Sequence, residues 1–143
     1  MQVKIINKSN NPLPAYKTAG SAGMDVCANL ETPLQIKPME RLLVPTGLFI
    51  ELPDSYEAQM RPRSGLSLKR GLSLPNSPAT IDSDYRGELK VIIINLSNKI
   101  QIINNGDRIA QMVIAKYEQV ELLKVDKLSE SERGTSGFGS TGV

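Results

Sequence analysis

Lys90-Val91-Ile92-Ile93-Ile94-Asn95-Leu96 contains four β-branched residues in succession. Because β-branched side chains fit an extended backbone, a continuous apolar run of this length with polar residues beside it predicts a strand buried on both faces. The second face would be covered either by another sheet or by another subunit, and the pattern favours neither.

Short apolar runs of the same kind lie on both sides of this segment. The full set of runs is Val3–Ile6, Arg41–Leu52, Glu57–Met60, Glu88–Leu96 (which contains the segment above), Ile100–Ile103 and Arg108–Tyr117. Nine prolines and eleven glycines separate the runs, which is typical of all-β sandwiches and barrels. Asn105-Gly106-Asp107 lies between the last two runs and predicts a hairpin, because Asn-Gly accepts the positive φ of a tight turn.

One short helix is expected within this β pattern. Ser64 is a suitable N-cap, Leu66, Leu68 and Lys69 would form one or two turns, and Gly71 would end the helix.

Length and composition indicate one domain with an aliphatic core. The chain has 143 residues, of which 40% are apolar and only 4% aromatic, so Ile, Leu and Val must fill the core. A net charge of +2 argues against a dedicated nucleic-acid-binding protein, and no run approaches the ~18 consecutive apolar residues of a membrane-spanning helix. The first ten residues lack the apolar stretch of a signal peptide, and Cys27 has no second cysteine to pair with, so we expect a cytoplasmic location.

The absence of histidine removes several classes of enzyme. Structural zinc sites, His-based triads and H-E-x-x-H metalloproteases all need it. Acid–base chemistry must therefore fall to Asp, Glu, Lys or Tyr. Any metal would be a hard cation bound through oxygen, with Mg²⁺ the usual choice beside phosphates.

Positive charge is concentrated in a segment that has no acidic residue. Within ten positions the chain carries Arg61, Arg63, Lys69 and Arg70. Arginine can donate two parallel hydrogen bonds to a phosphate, and Ser64 and Gly65 stand at the start of the expected helix, where free backbone N–H groups favour an anion. The segment is either an anion site or a solvated surface.

Acidic residues follow this basic segment. Asp82, Asp84 and Glu88 lie within seven residues of one another. If the chain is extended from Thr80 to Asp84, the two aspartates share a face, and paired carboxylates suit metal binding or activation of water. The alternative is an acidic turn between strands.

Asp25 is a lone acid in Ser21-Ala22-Gly23-Met24-Asp25-Val26, where a turn residue is the simplest interpretation. The sequence contains no Walker motif, which argues against P-loop chemistry.

The character of the chain changes from Lys124 onward. The segment alternates charges and ends in the glycine-rich stretch Arg133–Val143, which buries too little apolar surface to fold alone. Arg133 and Phe138 are unusual in such a tail, because disorder needs neither. We therefore divide the chain into a β domain, residues 1–123, and a C-terminal arm, residues 124–143.

Five segments combine these features in order along nearly the whole chain. They are Ala22-Gly23-Met24-Asp25, Arg61-Pro62-Arg63-Ser64-Gly65-Leu66, Asn76 through Ile81-Asp82-Ser83-Asp84-Tyr85-Arg86-Gly87-Glu88, Gly106-Asp107-Arg108-Ile109-Ala110-Gln111-Met112, and Arg133-Gly134 through Gly137-Phe138-Gly139-Ser140-Thr141-Gly142. Each is weak alone, but together and at this spacing they resemble the motifs of the trimeric dUTPase family.

The resemblance implies a distorted, jelly-roll-like β-barrel with one short helix and a flexible C-terminal arm. The chain would assemble as a homotrimer with three active sites at subunit interfaces. It would hydrolyse dUTP to dUMP and pyrophosphate, which limits uracil incorporation into DNA and supplies dUMP for thymidylate synthesis.

The resemblance also implies roles for the charged residues. Asp82 would orient and activate the water that attacks the α-phosphorus. Asp25 would act through water on Mg²⁺ bound to the phosphates. The phosphate chain would be bound by Arg63, Ser64, Gly65 and Gln111.

By the same resemblance, uracil would be read by a hairpin starting near Asn76, and Thr80 and Ile81 would also contact the substrate. Tyr85 would press on the deoxyribose and leave no room for a 2′-hydroxyl. A side chain that sterically excludes a hydroxyl group must be held rigidly, so we predict that the adjacent turn fixes the position of Tyr85. The sequence departs from the family at Ala79, where glycine is usual; alanine is compatible with a negative φ and awkward at a positive one.

In the arm, the resemblance implies that Arg133 meets the γ-phosphate and that Phe138 stacks on uracil over a neighbouring subunit's site, with Gly139 and Ser140 contacting the substrate. Ordering ten residues costs on the order of 10–20 kcal/mol of backbone entropy. The arm is therefore expected to close only when ligand contacts offset that cost.

Two other functions compete with this one. A dCTP deaminase, or a bifunctional deaminase–dUTPase, of the same fold needs a general acid–base group, typically Glu, beside the cytosine ring, and residues 76–81 contain no acid. A non-catalytic nucleotide sensor or structural module would have no reason to keep Asp82, Gln111, Arg133 and Phe138 together.

Overall fold

A computed structural model describes residues 1–137, which form eleven strands and one helix. The strands are β1 (Lys4–Asn7), β2 (Gly23–Cys27), β3 (Leu34–Ile36), β4 (Arg41–Pro45), β5 (Leu48–Glu51), β6 (Tyr56–Arg61), β7 (Leu72–Ser73), β8 (Ala79–Ile81), β9 (Lys90–Asn95), β10 (Gln101–Ile103) and β11 (Arg108–Lys116). The helix, α1 (Ser64–Arg70), follows β6. The expectation of an all-β chain with one short helix is confirmed.

The strands pair in two larger and two smaller antiparallel sheets. The larger sheets have the orders β2-β11-β6-β8 and β4-β9-β7, and the smaller pairs are β1-β5 and β3-β10. The one helix in residues 1–137 is too short to cross a lipid bilayer.

The core lies between the larger sheets and is aliphatic. Fully buried side chains come from both, among them Met60 and Ile109 from one and Leu72 and Ile93 from the other. In β9 the consecutive residues Ile93 and Ile94 are both buried, so that both faces of this strand are covered there, as its apolar run predicts.

The turn at Asn105-Gly106-Asp107 forms, but it does not make a hairpin. Gly106 has a φ of 81°, and the Asp107 N–H donates to the Asn104 carbonyl over 3.1 Å. The strands on either side pair elsewhere, β10 with β3 and β11 with β2 and β6. The hairpin prediction is wrong because a turn signal fixes only the local reversal, and here the chain passes from one sheet to another.

Two boundaries also differ from expectation. The helix N-cap is Arg63, with no side-chain capping bond, and Ser64 is the first helical residue; Gly71 ends the helix in the left-handed region as predicted, with a φ of 65°. The apolar run over residues 41–52 divides into β4 and β5 at Gly47, whose φ is 71° and where a Cβ would lie 2.9 Å from the Ser9 backbone nitrogen.

Asn95, the last residue of β9, is a polar residue buried in the core. Its side chain is fully buried, and its amide donates to the carbonyls of Ile36 at 2.9 Å and Lys99 at 2.7 Å. Its oxygen accepts from the Ser97 N–H at 2.9 Å and the Ser97 hydroxyl at 2.7 Å. All four hydrogen-bonding positions of the amide are therefore used.

Asn95→Ala is expected to lower the free energy of unfolding by about 2–4 kcal/mol, because it leaves several buried polar groups without partners. Urea unfolding followed by circular dichroism measures the change. The matched control is Asn98→Ala, an exposed asparagine three positions away, which is expected to stay within about 0.5 kcal/mol of the parent. Equal unfolding midpoints for the two variants would contradict the assignment.

Candidate active site

A pocket of about 500 Å³ lies between β8, its following turn and a face of the β4-β9-β7 sheet formed by β4 and β9. This volume suits a small-molecule ligand. Its lining residues are Leu43, Asn76, Ala79, Thr80, Ile81, Asp82, Tyr85, Glu88, Lys90 and Ile92. Five residues named from the sequence as site residues, Asn76, Thr80, Ile81, Asp82 and Tyr85, therefore meet in one place. Leu43, Lys90 and Ile92 were not identified, since the sequence gives no sign that β4 and β9 face this turn.

The segment around Asn76 is a turn between two sheets and not the hairpin that was expected. The Ser77 N–H donates to the Leu74 carbonyl over 3.3 Å, but β7 pairs with β9 while β8 pairs with β6. Ala79 begins β8, and among the non-glycine residues described only Met39 and Ser55 have a positive φ. The alanine is therefore compatible with the backbone at this position.

Tyr85 is held by its neighbours, as predicted. Its hydroxyl donates to the Glu88 carbonyl over 3.1 Å, and its backbone N–H donates to the Asp82 carbonyl over 3.2 Å. The ring lies against Gly87, where a Cβ would be 2.3 Å from the tyrosine oxygen. Glu88 is anchored in turn, because its carboxylate accepts from the Gly47 N–H at 2.9 Å.

Asp82 lies between two neighbouring depressions of the protein surface. It lines the pocket beside Tyr85 and also lines a polar depression that contains Asp54, Asp84 and Glu118. The extended conformation considered for residues 80–84 is wrong beyond Ile81, where β8 ends, because Ser83 and Asp84 form a turn. Asp82 and Asp84 thus do not share a strand face.

A second cluster surrounds Asp25, which lies within β2 and is not a turn residue. Arg63 donates from Nε to its Oδ1 at 2.7 Å, and Arg108 donates from Nη1 to its Oδ2 at 3.1 Å. The two arginines also touch, since Arg63 Nη1 donates to the Arg108 carbonyl over 3.3 Å. Arg108 received no role from the sequence, because its proximity to Asp25 depends on strand pairing.

The charges of this cluster act on the single cysteine. Burial of the thiol, and next the negative charge of Asp25, raise the pKa of Cys27 above its usual value, whereas Arg108 and Arg63 act in the opposite direction. The thiol therefore stays protonated near neutral pH and is a poor nucleophile.

Gln111 joins the same cluster. Its amide donates to the Pro62 carbonyl over 2.9 Å, and its oxygen occupies the space beside Gly23, where a Cβ would lie only 2.6 Å away. Ser64 and Gly65 follow at the exposed start of α1. The residues expected to bind phosphate thus come together with Asp25.

Asp82 and Arg63 lie toward opposite ends of β6. Asp82 lines a groove together with Glu57, near the first residue of the strand, whereas Arg63 follows its last residue. Six residues of extended chain span roughly 20 Å. Arg133 lies exposed in a turn of the arm, where its Nε donates to the Ser136 carbonyl over 2.8 Å, and it joins neither cluster within residues 1–137. Phe138, Gly139 and Ser140 lie outside the described residues.

The match to known proteins extends over both clusters and the arm. The model of the dUTPase family matches residues 9–142. The chain belongs to the dUTPase family. It is 56% identical over 142 residues to the deoxyuridine 5′-triphosphate nucleotidohydrolase of Finegoldia magna, covering 99% of each chain. It is 59% identical over 140 residues to the protein of the same name from Cytophaga hutchinsonii, covering 98% of this chain and 91% of that one.

Solved dUTPases have the same architecture. The dUTPase of Staphylococcus bacteriophage 80alpha, solved with dUPNHPP, superposes with a TM-score of 0.86 at 26% identity and covers 99% of both chains. The distorted, jelly-roll-like fold expected for this dUTPase is thereby confirmed.

Proposed function

We propose that this dUTPase family member hydrolyses dUTP to dUMP and pyrophosphate, with Asp82 activating the attacking water. The observation that carries the proposal is the position of Asp82, between a largely apolar pocket and a polar depression. A nucleotide placed there has its base and sugar in the pocket and its α-phosphate beside the carboxylate.

The pocket suits deoxyuridine. Asn76 and the backbone of the adjoining turn offer amide and carbonyl groups to the edge of uracil, and Thr80 and Ile81 complete the contact. Tyr85, fixed by Glu88 and Gly87, stands against the sugar and excludes a 2′-hydroxyl.

Asp82 orients a water and accepts one of its protons as the water oxygen bonds to the α-phosphorus. The bond from that phosphorus to the oxygen bridging the α- and β-phosphates breaks, and pyrophosphate leaves. A carboxylate serves as general base here because the chain contains no histidine and because cationic donors stabilise the charge that develops on phosphate.

Those donors come from the Asp25 cluster. Arg63 supplies a guanidinium group, Ser64 and Gly65 supply a hydroxyl and backbone N–H groups, and Gln111 supplies an amide. Arginine suits this task because its planar fork matches phosphate geometry.

Mg²⁺ fits this site as a companion of the substrate. In residues 1–137 no three acidic, cysteine or histidine side chains group as metal ligands, and both oxygens of Asp25 have guanidinium partners. Mg²⁺ commonly keeps several waters and binds through one or two carboxylates together with phosphates. Asp25 would hold it through water, and the ion would neutralise charge on the triphosphate.

A complete site takes residues from more than one copy of the chain, which we propose to be a homotrimer with three shared sites. Asp82 and Arg63 of one chain lie at opposite ends of β6 and cannot meet at one triphosphate. Assembly is also favoured by the exposed apolar side chains of the segment after β11, namely Val120, Leu122, Leu123, Val125 and Leu128, which a neighbouring subunit would cover.

Residues 124–143 act in this proposal as an arm on the β domain of residues 1–123. Arg133 reaches the γ-phosphate of a neighbouring site, and Phe138, Gly139 and Ser140 close over the base and sugar.

The reaction removes dUTP before polymerases use it and supplies dUMP for thymidylate synthesis. A reducing cytoplasm suits the free thiol of Cys27.

The wild-type chain is expected to release pyrophosphate from dUTP but not from UTP, dTTP or dCTP at comparable rates. Asp82→Asn is expected to lower kcat by roughly 10²–10⁴-fold, the usual contribution of a general base, while the Kd for dUPNHPP stays close to the parent value. Asp54→Asn, an exposed acid on the same depression, is the control and should keep its rate. Ammonia release from dCTP without hydrolysis of dUTP would instead identify a deaminase.

Gly87→Ala is expected to reduce the preference for dUTP over UTP, because the added methyl group displaces the Tyr85 ring from the sugar. The ratio of the two kcat/KM values should fall by up to about 10²-fold, the range for sterically rejecting one hydroxyl, and Tyr85→Ala should act in the same direction. Gly20→Ala, where a Cβ meets open space, should leave the ratio unchanged. An unaltered ratio in Gly87→Ala and Tyr85→Ala would remove Tyr85 from sugar selection.

Deletion of residues 133–143 is expected to abolish most turnover while leaving the trimer mass intact in light scattering. Mixing this truncated chain with Asp82→Asn chains, after subunit exchange, should restore activity in about a quarter of the sites, since each working site needs Asp82 from one chain and the arm from another. No recovery on mixing would show that each chain uses its own arm, and full activity of the truncated chain would remove the arm from catalysis.

A further inference from the structure

A β-bulge at the start of β11 changes the direction of one arginine. Arg108 is in register with Cys27 and Ala110 with Val26, so the register shifts between Arg108 and Ala110. The burial pattern agrees, because Ile109 and Ala110 are both buried although they are consecutive. The extra residue places Arg108 and Gln111 on the same side of the sheet, around Asp25.

Asp25 consequently has two cationic partners, which differ in exposure and in the part of the fold that carries them. Its side chain is 21% exposed, that of Arg63 24% and that of Arg108 53%. Arg63 donates to Oδ1 at 2.7 Å and, more weakly, to Oδ2 at 3.5 Å, whereas Arg108 donates to Oδ2 alone, at 3.1 Å. Arg63 comes from the loop before α1, whereas Arg108 belongs to a strand paired directly with β2.

Arg63 is thus required in two places. Its Nε and Nη2 donate to Asp25, and in the proposed reaction the same guanidinium group binds phosphate. Any weakening of its pairing with Asp25 would leave a partly buried carboxylate facing a triphosphate of the same sign. The Mg²⁺ proposed above would be separated from this carboxylate by water, so a second direct cationic partner is needed.

We propose that Arg108 is a positioning residue that keeps Asp25 neutralised and oriented while Arg63 binds the phosphates. The proposal rests on the function proposed above. Arg108 acts on the triphosphate only through Asp25 and contacts no phosphate itself. The bulge is what makes this arrangement available, because in a regular strand residues 108 and 111 point to opposite faces.

The test is a double-mutant cycle on ligand binding. Isothermal titration calorimetry measures the Kd of dUPNHPP and of dUMP, with Mg²⁺ present, for the full-length wild type, Arg108→Gln, Asp25→Asn and the double variant. Arg108→Gln should weaken dUPNHPP roughly tenfold or more, in line with the loss of a charged hydrogen bond, and should change dUMP binding much less. Arg108→Lys, which keeps the charge, should lose less affinity for dUPNHPP.

In the Asp25→Asn background, Arg108→Gln should cause no further loss, because the carboxylate that it compensates is gone. Arg41→Gln, an exposed arginine on β4, is the matched control and should bind both ligands as the wild type does. An equal loss in both backgrounds would show that Arg108 contacts phosphate directly. An equal loss for dUMP and dUPNHPP would show a merely structural role, and either result overturns the proposal. Failure of the wild type to bind dUPNHPP would instead contradict the proposed function itself.

Discussion

β11 is hydrogen-bonded on one side to β2 and on the other to β6, and the cluster around Asp25 depends on this double pairing. Gln111 stands directly opposite Asp25 on β2 and Arg61 on β6, so that side chains from three distant parts of the sequence share one face of a sheet. Arg63 follows two residues after Arg61 and reaches the same carboxylate. Without β11 in this place, neither Asp25 nor Arg63 would have its partner.

The same sheet also separates Asp82 from the cluster around Asp25. β8 pairs with β6 on the side away from β11, and the antiparallel register puts Asp82 near the first residue of β6, whereas Arg63 comes after its last residue. In the proposed homotrimer, a single chain therefore carries two half-sites that face different neighbours. Rigid strands are well suited to this task, because the relative positions of the half-sites are fixed by hydrogen-bonded register.

The sequence predicted local properties well and long-range ones poorly. The β-branched run of β9, the helix end at Gly71 and the turn at Gly106 all followed from the residues themselves, since steric preference decides each of them. The pairing of β10 and β11 did not, because a turn residue carries no information about which strand completes the ladder.

The candidate site shows the same difference between local properties, which were predicted, and long-range contacts, which were not. Clustered charge pointed to Asp82 and Arg63, motif resemblance pointed to Tyr85 and Gln111, and the structure assigns the four residues to two clusters. Arg108 and the pocket residues Leu43 and Ile92 were missed, because their proximity to the site arises only from strand pairing and from the bulge in β11. Short strands such as β7 were also missed, since two residues offer no periodicity to detect.

The ion pairs of Asp25 have a consequence for the free protein. Two guanidinium groups that converge without an acid between them would attract any polyanion, including nucleic acids and metabolites that carry several phosphates. With the carboxylate in place the cluster has a single excess positive charge, and its hydrogen-bond donors are already directed inward. The Asp25 carboxylate thus occupies part of the hydrogen-bonding capacity of both guanidinium groups, and an outside anion must compete with it for them.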